Sequence, residues 1–399
     1  MTTPPTPLRV AIIGSAFMGA AHSAGWRNVA AHFDVPPVEQ TVMVARDAER
    51  VAEAAARLGW KESATDWRAV IARDDIDIVD VCVPGRLHAE VAIAALEAGK
   101  HVIVEKPIAN TLEEAERMSA AADTALARGQ HAIVNFNYRR VPAIALARQL
   151  IDAGRLGTLR HVRIAYLQDW LSDAQAPMSW RLRSEEAGSG ALGDLGSHAV
   201  DLTHHLTGES IDSLSARLHT FVSERPSGES GAGSTSEPVT VDDAAWLTAT
   251  LSGGAVAQIE VSRMATGRKN GLTVELNGER GSIRFSLEEL NELWFYDQAA
   301  PAGEQGFRRI LVTEAGHPYV GHWWPDGHII GWEHTFSHQF AELLQSIRNG
   351  EPSSPSFADG LRVQRVLDAA ARSSSEESRV IRIDQNPADH TTDHTTEGA

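Results

Sequence analysis

Asp194 and His198 stand four residues apart in Gly193-Asp-Leu-Gly-Ser-His-Ala-Val-Asp-Leu202, where a glycine-rich loop gives way to a helical pattern. Residues i and i+4 of a helix lie on one face, so this spacing aims a carboxylate and an imidazole into the same space. Histidine titrates near neutral pH, and the pair can therefore move a proton. Lys106 offers a second group. In Glu105-Lys106-Pro107 the proline stops a strand and fixes the loop, leaving a lysine at the carboxyl edge of a sheet, where ligands gather in α/β folds. A proton acceptor beside a fixed cation suits removal of a hydroxyl proton while charge builds on the oxygen. Each residue also has a plain structural reading: Asp194 as a helix N-cap, His198 as a core histidine, Lys106 as solvated surface.

The elements that would position these groups come first in the chain. Leu8 to Ile13 is an apolar, β-branched run of the kind buried in parallel sheets. Gly14-Ser-Ala-Phe-Met-Gly19 follows at once, then a small-residue helix to about Ala31. This is the strand–turn–helix context of a dinucleotide fingerprint, with Gly14, Ala16, Phe17, Met18 and Gly19 forming the turn. Ala16 replaces the middle glycine, and its methyl narrows the backbone's approach to a pyrophosphate without closing it. Further strands are expected at Gln40 to Val44, Ile76 to Val83, Lys100 to Val104 and His131 to Asn135. Helices at Ala48 to Leu58, Leu87 to Ala98 and Thr111 to Ala127 alternate with them. Such alternation predicts a doubly wound parallel sheet with ligands at the strand carboxyl ends.

Three of those ends carry information. Arg46 and Asp47 follow the second strand: an acid there would bond the adenosine ribose hydroxyls, whereas an arginine could accept a 2′-phosphate. The cofactor expected is NAD, with NADP possible. Pro84 and His88 bracket the turn after the third strand, which could lie along the nicotinamide ribose. Glu105 and Lys106 end the fourth.

Beyond Asn137 the pattern changes. A helix at Val141 to Ala153, a strand at Leu159 to Leu167 and a polar, Trp-bearing loop from Gln168 to Arg183 lead to the Asp194/His198 motif. Leu214 to Val222, Ala244 to Leu251, Val256 to Val261, Leu272 to Asn277 and Ser282 to Phe285 then read as consecutive antiparallel strands, with turns such as Ser252-Gly-Gly254 and Asn277-Gly278. Arg225 to Pro238 is expected to be a flexible loop. His334 to Arg348 and Phe357 to Ala371 are late helices. The domains expected are 1–136 for the dinucleotide, 137–384 for substrate and oligomerisation, and a disordered tail at 385–399. Tyr138, Trp170, Trp180, Arg181 and His328 lie in segments able to line the cleft, where each could stack on or bond to a sugar ring.

The chain's 399 residues carry a formal net charge of −17, which argues against nucleic acid, since phosphate binding needs a basic face. No apolar run reaches membrane-spanning length and no signal-peptide core opens the sequence. Cys82, the single cysteine, has no intramolecular partner, which fits a reducing cytoplasm. A neutral polyol is compatible with this balance. Asp194, His198, Asp201, His204 and His205 also form a carboxylate/imidazole cluster on one helix. His204 and His205 point about 100° apart, however, and no H-E-x-x-H or cysteine pattern supports a metal, so none is expected. His390 and His394 read as solvated tail residues.

The glycine turn, Glu105-Lys106-Pro107 and the Gly193 to Leu202 motif, in this order, resemble the Gfo/Idh/MocA oxidoreductase family over roughly residues 8 to 383. The resemblance implies a Rossmann domain followed by an α+β domain with a large open, mainly antiparallel sheet, often the dimer or tetramer interface. It implies Lys106, Asp194 and His198 as the catalytic set. Ala265-Thr-Gly-Arg-Lys-Asn270 and the Trp- and His-rich stretch from His317 to Trp332 are similar to the branch acting on sugars, anhydrosugars and cyclitols. The expected reaction is oxidation by NAD(P) of a secondary hydroxyl of a sugar, an anhydrosugar (of the levoglucosan kind, to a 3-keto product) or a cyclitol. His198 would be the general base and Lys106 the stabiliser of the alkoxide, with Asp194 orienting the imidazole or binding a neighbouring hydroxyl. The rivals within the same fold are a glycosidase that uses NAD transiently and a non-catalytic dinucleotide sensor.

Overall fold

The computed structural model describes residues 6–227 and 235–383. The expected disordered tail, with His390 and His394, lies outside them. The first half forms strands β1 (Leu8–Ile13), β2 (Val38–Val44), β3 (Glu62–Ala64), β4 (Ile78–Val81), β5 (His101–Val104) and β6 (Ala132–Val134), joined by helices α1 (Phe17–His32), α2 (Ala48–Leu58), α3 (Trp67–Ile71), α4 (His88–Glu97) and α5 (Leu112–Leu126). All six strands are parallel, in the order β3-β2-β1-β4-β5-β6. The order reverses beside β1, so a ligand crevice opens at the carboxyl ends of β1 and β4. β3 is absent from the sequence reading because Glu-Ser-Ala is short and exposed at the sheet's edge. Thr111 and Glu114 make the expected reciprocal capping box at the start of α5.

The second half begins with α6 (Pro142–Asp152), β7 (Leu159–Leu167) and the short α7 (Ser184–Ala187), then α8 (Ser197–Thr207). Strands β8 (Ile211–His219), β9 (Glu224–Pro226), β10 (Ser236–Pro238), β11 (Ala244–Leu251), β12 (Val256–Ser262), β13 (Gly271–Gly278), β14 (Gly281–Ser286), β15 (Glu292–Asp297) and β16 (Arg308–Leu311) follow. Helices α9 (His334–Asn349) and α10 (Phe357–Ser375) and strand β17 (Ile381–Arg382) close the described chain. Nine strands make one sheet, in the order β16-β15-β14-β13-β7-β12-β11-β8-β17. It is mixed, because β7 runs parallel to β12 and antiparallel to β13.

Three expectations change here. β8 ends before the expected Val222, because the amides of Phe221 and Val222 turn to the Asp243 carboxylate at 2.7 and 3.1 Å. The stretch from Arg225 to Pro238 is in part a hairpin of β9 and β10, with residues 228–234 outside the described set. Arg225 is fully buried there and donates to the carbonyls of Leu171 and Asp173, a cost in desolvation that only such bonding offsets. Strands β15, β16 and β17 also went unread.

Helices α6, α8 and α10 pack on one face of the large sheet, and no helix among the described residues covers the other. Helix α9 packs instead on α1, where Phe340 stacks on Trp26 at 4.1 Å, so the late chain completes the layer over the dinucleotide sheet. No helix among the described residues is long and apolar enough to cross a membrane.

Candidate active site

The glycine turn is tight. Gly14 has φ +125°, and a Cβ on it would lie 2.3 Å from the Cys82 carbonyl oxygen; one on Gly19 would lie 2.1 Å from the Gly14 carbonyl oxygen. Only glycine fits either position. Ala16 starts α1 without a side-chain cap, so the first amides of the helix stay open to an anion. Phe17 is exposed and stacks on Trp332 at 5.6 Å, which brings the late Trp/His stretch over the turn.

Under the strand ends lies a buried polar network that the sequence reading did not find. His22 Nδ1 meets both Asp80 oxygens at 2.9 Å and its Nε2 meets Glu105 Oε1 at 2.8 Å. Trp26 donates to Asp80 at 2.8 Å and Asn135 donates to Glu105 at 2.6 Å. Burial alone would push the His22 imidazole down, but Asp80 overrides it and the pKa lies well above the ordinary value. Burial would likewise raise Glu105; the bond from His22 dominates and holds it at about 2. Glu105 is therefore a buried carboxylate fixed behind Lys106, whose amide bonds it at 3.3 Å, rather than the cofactor ligand expected. His22, Asp80 and Cys82 lie within 4.8 Å of one another, a set of metal-ligand types, yet both His22 nitrogens already face carboxylates, and burial keeps Cys82 a thiol.

Lys106 points across the cleft to the second domain. Its Nζ donates to Asp194 Oδ1 at 2.8 Å and to the Asp194 carbonyl at 2.9 Å. Arg263 donates to Asp194 Oδ2 at 3.0 Å. Burial would raise the Asp194 carboxyl; the charges of Lys106 and Arg263 prevail and hold it far below the usual range. Asp194 sits in a π-helical turn, Leu192–Gly196, ahead of α8, and is not its N-cap. It makes no bond to His198. The expected Asp–His pair is thus replaced by a Lys–Asp–Arg triad, because two cations outcompete one imidazole for the carboxylate.

His198 is 5% exposed, and its ring packs on Tyr138 at 4.4 Å with Tyr166 and Phe136 at 5.9 and 6.2 Å. Its Nδ1 is buried without a bonding partner in the protein. Burial, and then the Lys106 charge, lowers it to about 3, so it is neutral at physiological pH. Tyr138 and Tyr166 share a bond of 2.8 Å, and Tyr166 donates to Asn270 at 2.7 Å, which Gln168 also bonds at 2.8 Å. Arg263 further reaches the Arg181 carbonyl at 3.4 Å and lies 5.5 Å from the Trp170 ring. The structure therefore gathers Lys106, Asp194, His198, Tyr138, Arg181 and Trp170, and adds Arg263, Tyr166, Asn270 and Gln168.

The other expected contacts fare differently. His88 is buried with Nδ1 on the Pro107 carbonyl at 3.0 Å and Nε2 on the Val83 carbonyl at 2.9 Å, so it ties two strand-end loops together and has no free nitrogen for a cofactor. Pro84 precedes the 3₁₀ turn at Gly85–Leu87. Trp180 is exposed beneath its neighbour Arg181. His328 is exposed and meets the Pro325 carbonyl of its own loop at 2.8 Å, away from the bonds that join the cluster. Asp201 is held by Arg139, which accounts for it as an ion pair, and His204 is buried beside it in helix packing. Asp47 caps α2, and Arg46 is exposed beside it.

A parallel sheet with a glycine turn at its switch point, facing a lysine–carboxylate–imidazole cluster on a second sheet domain, defines an NAD-dependent oxidoreductase. The chain belongs to the Gfo/Idh/MocA family: residues 8–133 match its "Oxidoreductase family, NAD-binding Rossmann fold" and residues 144–284 its C-terminal domain. Levoglucosan dehydrogenase of Pseudarthrobacter phenanthrenivorans is 40% identical over 386 residues, 94% of this chain and 97% of that protein. The solved structure of levoglucosan dehydrogenase with NADH and levoglucosan superposes with a TM-score of 0.90 at 39% identity, covering 96% of this chain and all of that one. An oxidoreductase domain protein from Kribbella flavida reaches a TM-score of 0.93 at 54% identity, covering 95% of this chain and all of that one.

Proposed function

We propose that the protein oxidises a secondary hydroxyl of a small neutral sugar, with an anhydrosugar of the levoglucosan class as substrate and a 3-keto sugar as product. The observation that carries this reading is a neutral, buried imidazole beside a lysine held across the cleft by a carboxylate. The likeness to levoglucosan dehydrogenase over nearly the whole chain supports the substrate class. The nicotinamide, when bound, supplies the hydride acceptor. His198 takes the hydroxyl proton; burial keeps it unprotonated and ready to do so. The same burial makes its imidazolium short-lived, which favours passing the proton on. Lys106 donates to the oxygen on which charge builds. Asp194 serves Lys106 rather than His198: with Arg263 it holds the ammonium at the mouth of the site. Tyr138 and Tyr166 flank the imidazole, with Asn270 bonded to Tyr166, and offer bonding groups for the ring hydroxyls. The other face of the large sheet, with Trp246 38% exposed and bonded to Glu260 at 3.2 Å, is the surface we assign to a second copy of the chain.

The test is a panel of sugars, anhydrosugars and inositols with NAD, followed at the NADH absorbance band. Steady NADH formation, strongest with the anhydrosugar, is expected. Cleavage of glycosides without net NADH would replace this reading by the glycosidase one, and dinucleotide binding with no turnover on any member would favour a sensor.

A further inference from the structure

We infer that the cavity at the C-terminal end of α8 is a binding site for a phosphate dianion, free or carried on a small molecule, held by Arg362, Arg148 and His204. The site lies apart from the Lys106–Asp194–Arg263 cluster, and the inference is independent of which sugar is oxidised.

The cavity measures about 340 Å³ and is lined by Arg139, Arg148, His204, His205, Gly208 and Arg362. Helix α8 carries His198 at its start, and His204 follows about 9 Å further along the axis, so the two sites occupy opposite ends of one helix. In a chain with a formal net charge of −17, three arginines and two histidines around one hollow are a local reversal of sign. Among the described residues no carboxylate lines it; the acids stand behind the guanidiniums. Asp201 holds Arg139 at 2.6 Å, Asp152 holds Arg148 at 2.7 Å, and Asp359 is shared between Arg362 and Arg139. An arginine has five N–H donors, and Arg362 is 43% exposed with one terminal nitrogen bonded to Asp359.

A helix C-terminus by itself repels an anion, since its last carbonyls carry partial negative charge. Here Arg148 Nη1 donates to the His205 and Leu206 carbonyls at 2.5 and 3.4 Å, and the Gly208 amide donates to the His204 carbonyl at 2.9 Å. Gly208 has φ +73°, and a Cβ there would lie 3.2 Å from Arg148 Nη1, so the glycine leaves the arginine room at the wall.

His204 supplies the observation that calls for a ligand. It is 6% exposed, and neither ring nitrogen has a bonding partner among the described residues. Burial lowers it to about 3, helped by Arg362 and Arg139 and opposed by Asp359. His205 is lowered to about 2 by burial and then by Arg139, Arg140 and Arg148, again against Asp359. At both rings the arginines act more strongly than the acid, so the potential in the hollow is positive. A neutral imidazole keeps one N–H donor, and a buried donor without a partner is costly. A phosphate dianion supplies acceptor oxygens for that N–H and for the guanidinium fork together. The hollow is larger than one phosphate group fills, which leaves room for the alcohol part of a monoester.

Calorimetric titration of the full protein with inorganic phosphate and with glycerol 3-phosphate at pH 7.5 tests this, ionic strength being held by sodium chloride. NADH is kept saturating so that the glycine turn is occupied. Saturable binding at one site is expected, and the tighter of the two ligands tells the esterified form from the free ion. Arg362→Gln should weaken that binding about tenfold, the loss of one charge-assisted contact, with the affinity for NADH unchanged. Arg148→Gln should weaken it in the same direction, and the denaturation midpoint confirms that each variant is folded. No saturable binding of either anion overturns the inference and leaves a water-filled hollow. Binding that both folded variants retain at full strength overturns it too. So does binding seen only without NADH, which would put the phosphate at the glycine turn.

Discussion

His22 and His198 lie on either side of the Glu105–Lys106 loop, both buried to within a few per cent, and their neighbours differ in kind. His22 has a carboxylate on each ring nitrogen, and the Asp80 charge outweighs the burial that would strip its proton. His198 has aromatic rings around it, an unpartnered Nδ1 and the ammonium of Lys106 nearby, all of which favour the neutral ring. One imidazole is therefore a fixed cation that welds Asp80 to Glu105, and the other is an empty proton acceptor. Burial sets the scale of both shifts, and the sign of the neighbouring charge decides which way each goes.

The contrast can be broken at either end. His198→Ala should lower kcat by about 10²- to 10⁴-fold, the usual range for loss of a positioned base, with NADH binding unchanged by fluorescence titration. Near-normal turnover in this variant would remove His198 from the chemistry. His22→Leu acts on the fold instead: it strands two buried carboxylates, and about 3–5 kcal/mol of stability should go, read as the denaturation midpoint. If that variant unfolds at the native midpoint, His22 is not the cation described. Arg263→Met is a smaller change. It leaves Asp194 to Lys106 alone, and kcat/KM should fall about 10- to 100-fold as the bonded carboxylate loses one of two donors. Unchanged kinetics would mean that Lys106 needs no such brace.

How much of this could be read in advance follows from the same physics. Strands β1, β4 and β5 are largely apolar, with one polar residue each, because parallel strands are buried on both faces, and the turn, Lys106, Asp194 and His198 sit at positions fixed by local chain chemistry. The partners were hidden because they are brought together by folding alone. Arg263 meets Asp194 across 69 residues and Asn270 meets Tyr166 across 104. The His22 network did leave a trace: Asp80 is a carboxylate inside the apolar run Ile-Val-Asp-Val, and a buried charge of that kind requires a partner. The partners of Asp194 could not be read, because helical spacing states which side chains share a face and not which cation arrives from another domain.

Acid gives the finest separation of the two histidines. His198 has a folded value of about 3 against an ordinary value of 6.5, so the unfolded chain binds the extra proton and stability falls as pH drops below about 6.5, levelling near 3. At pH 5.5 its share is about 1 kcal/mol, one pH unit below the unfolded value. His22 has the opposite sign. Its folded value is raised, so its contribution is complete below 6.5 and is lost only as pH rises through that folded value. Chemical denaturation at pH 7.5 and 5.5 should therefore show His198→Asn losing less stability on acidification than the native protein does, by about 1 kcal/mol. His22→Asn, already weakened at neutral pH, should gain no such relief. Equal acid sensitivity in the native protein and in His198→Asn would mean that the imidazole is not held neutral, and the proton acceptor would have to be sought elsewhere in the cluster.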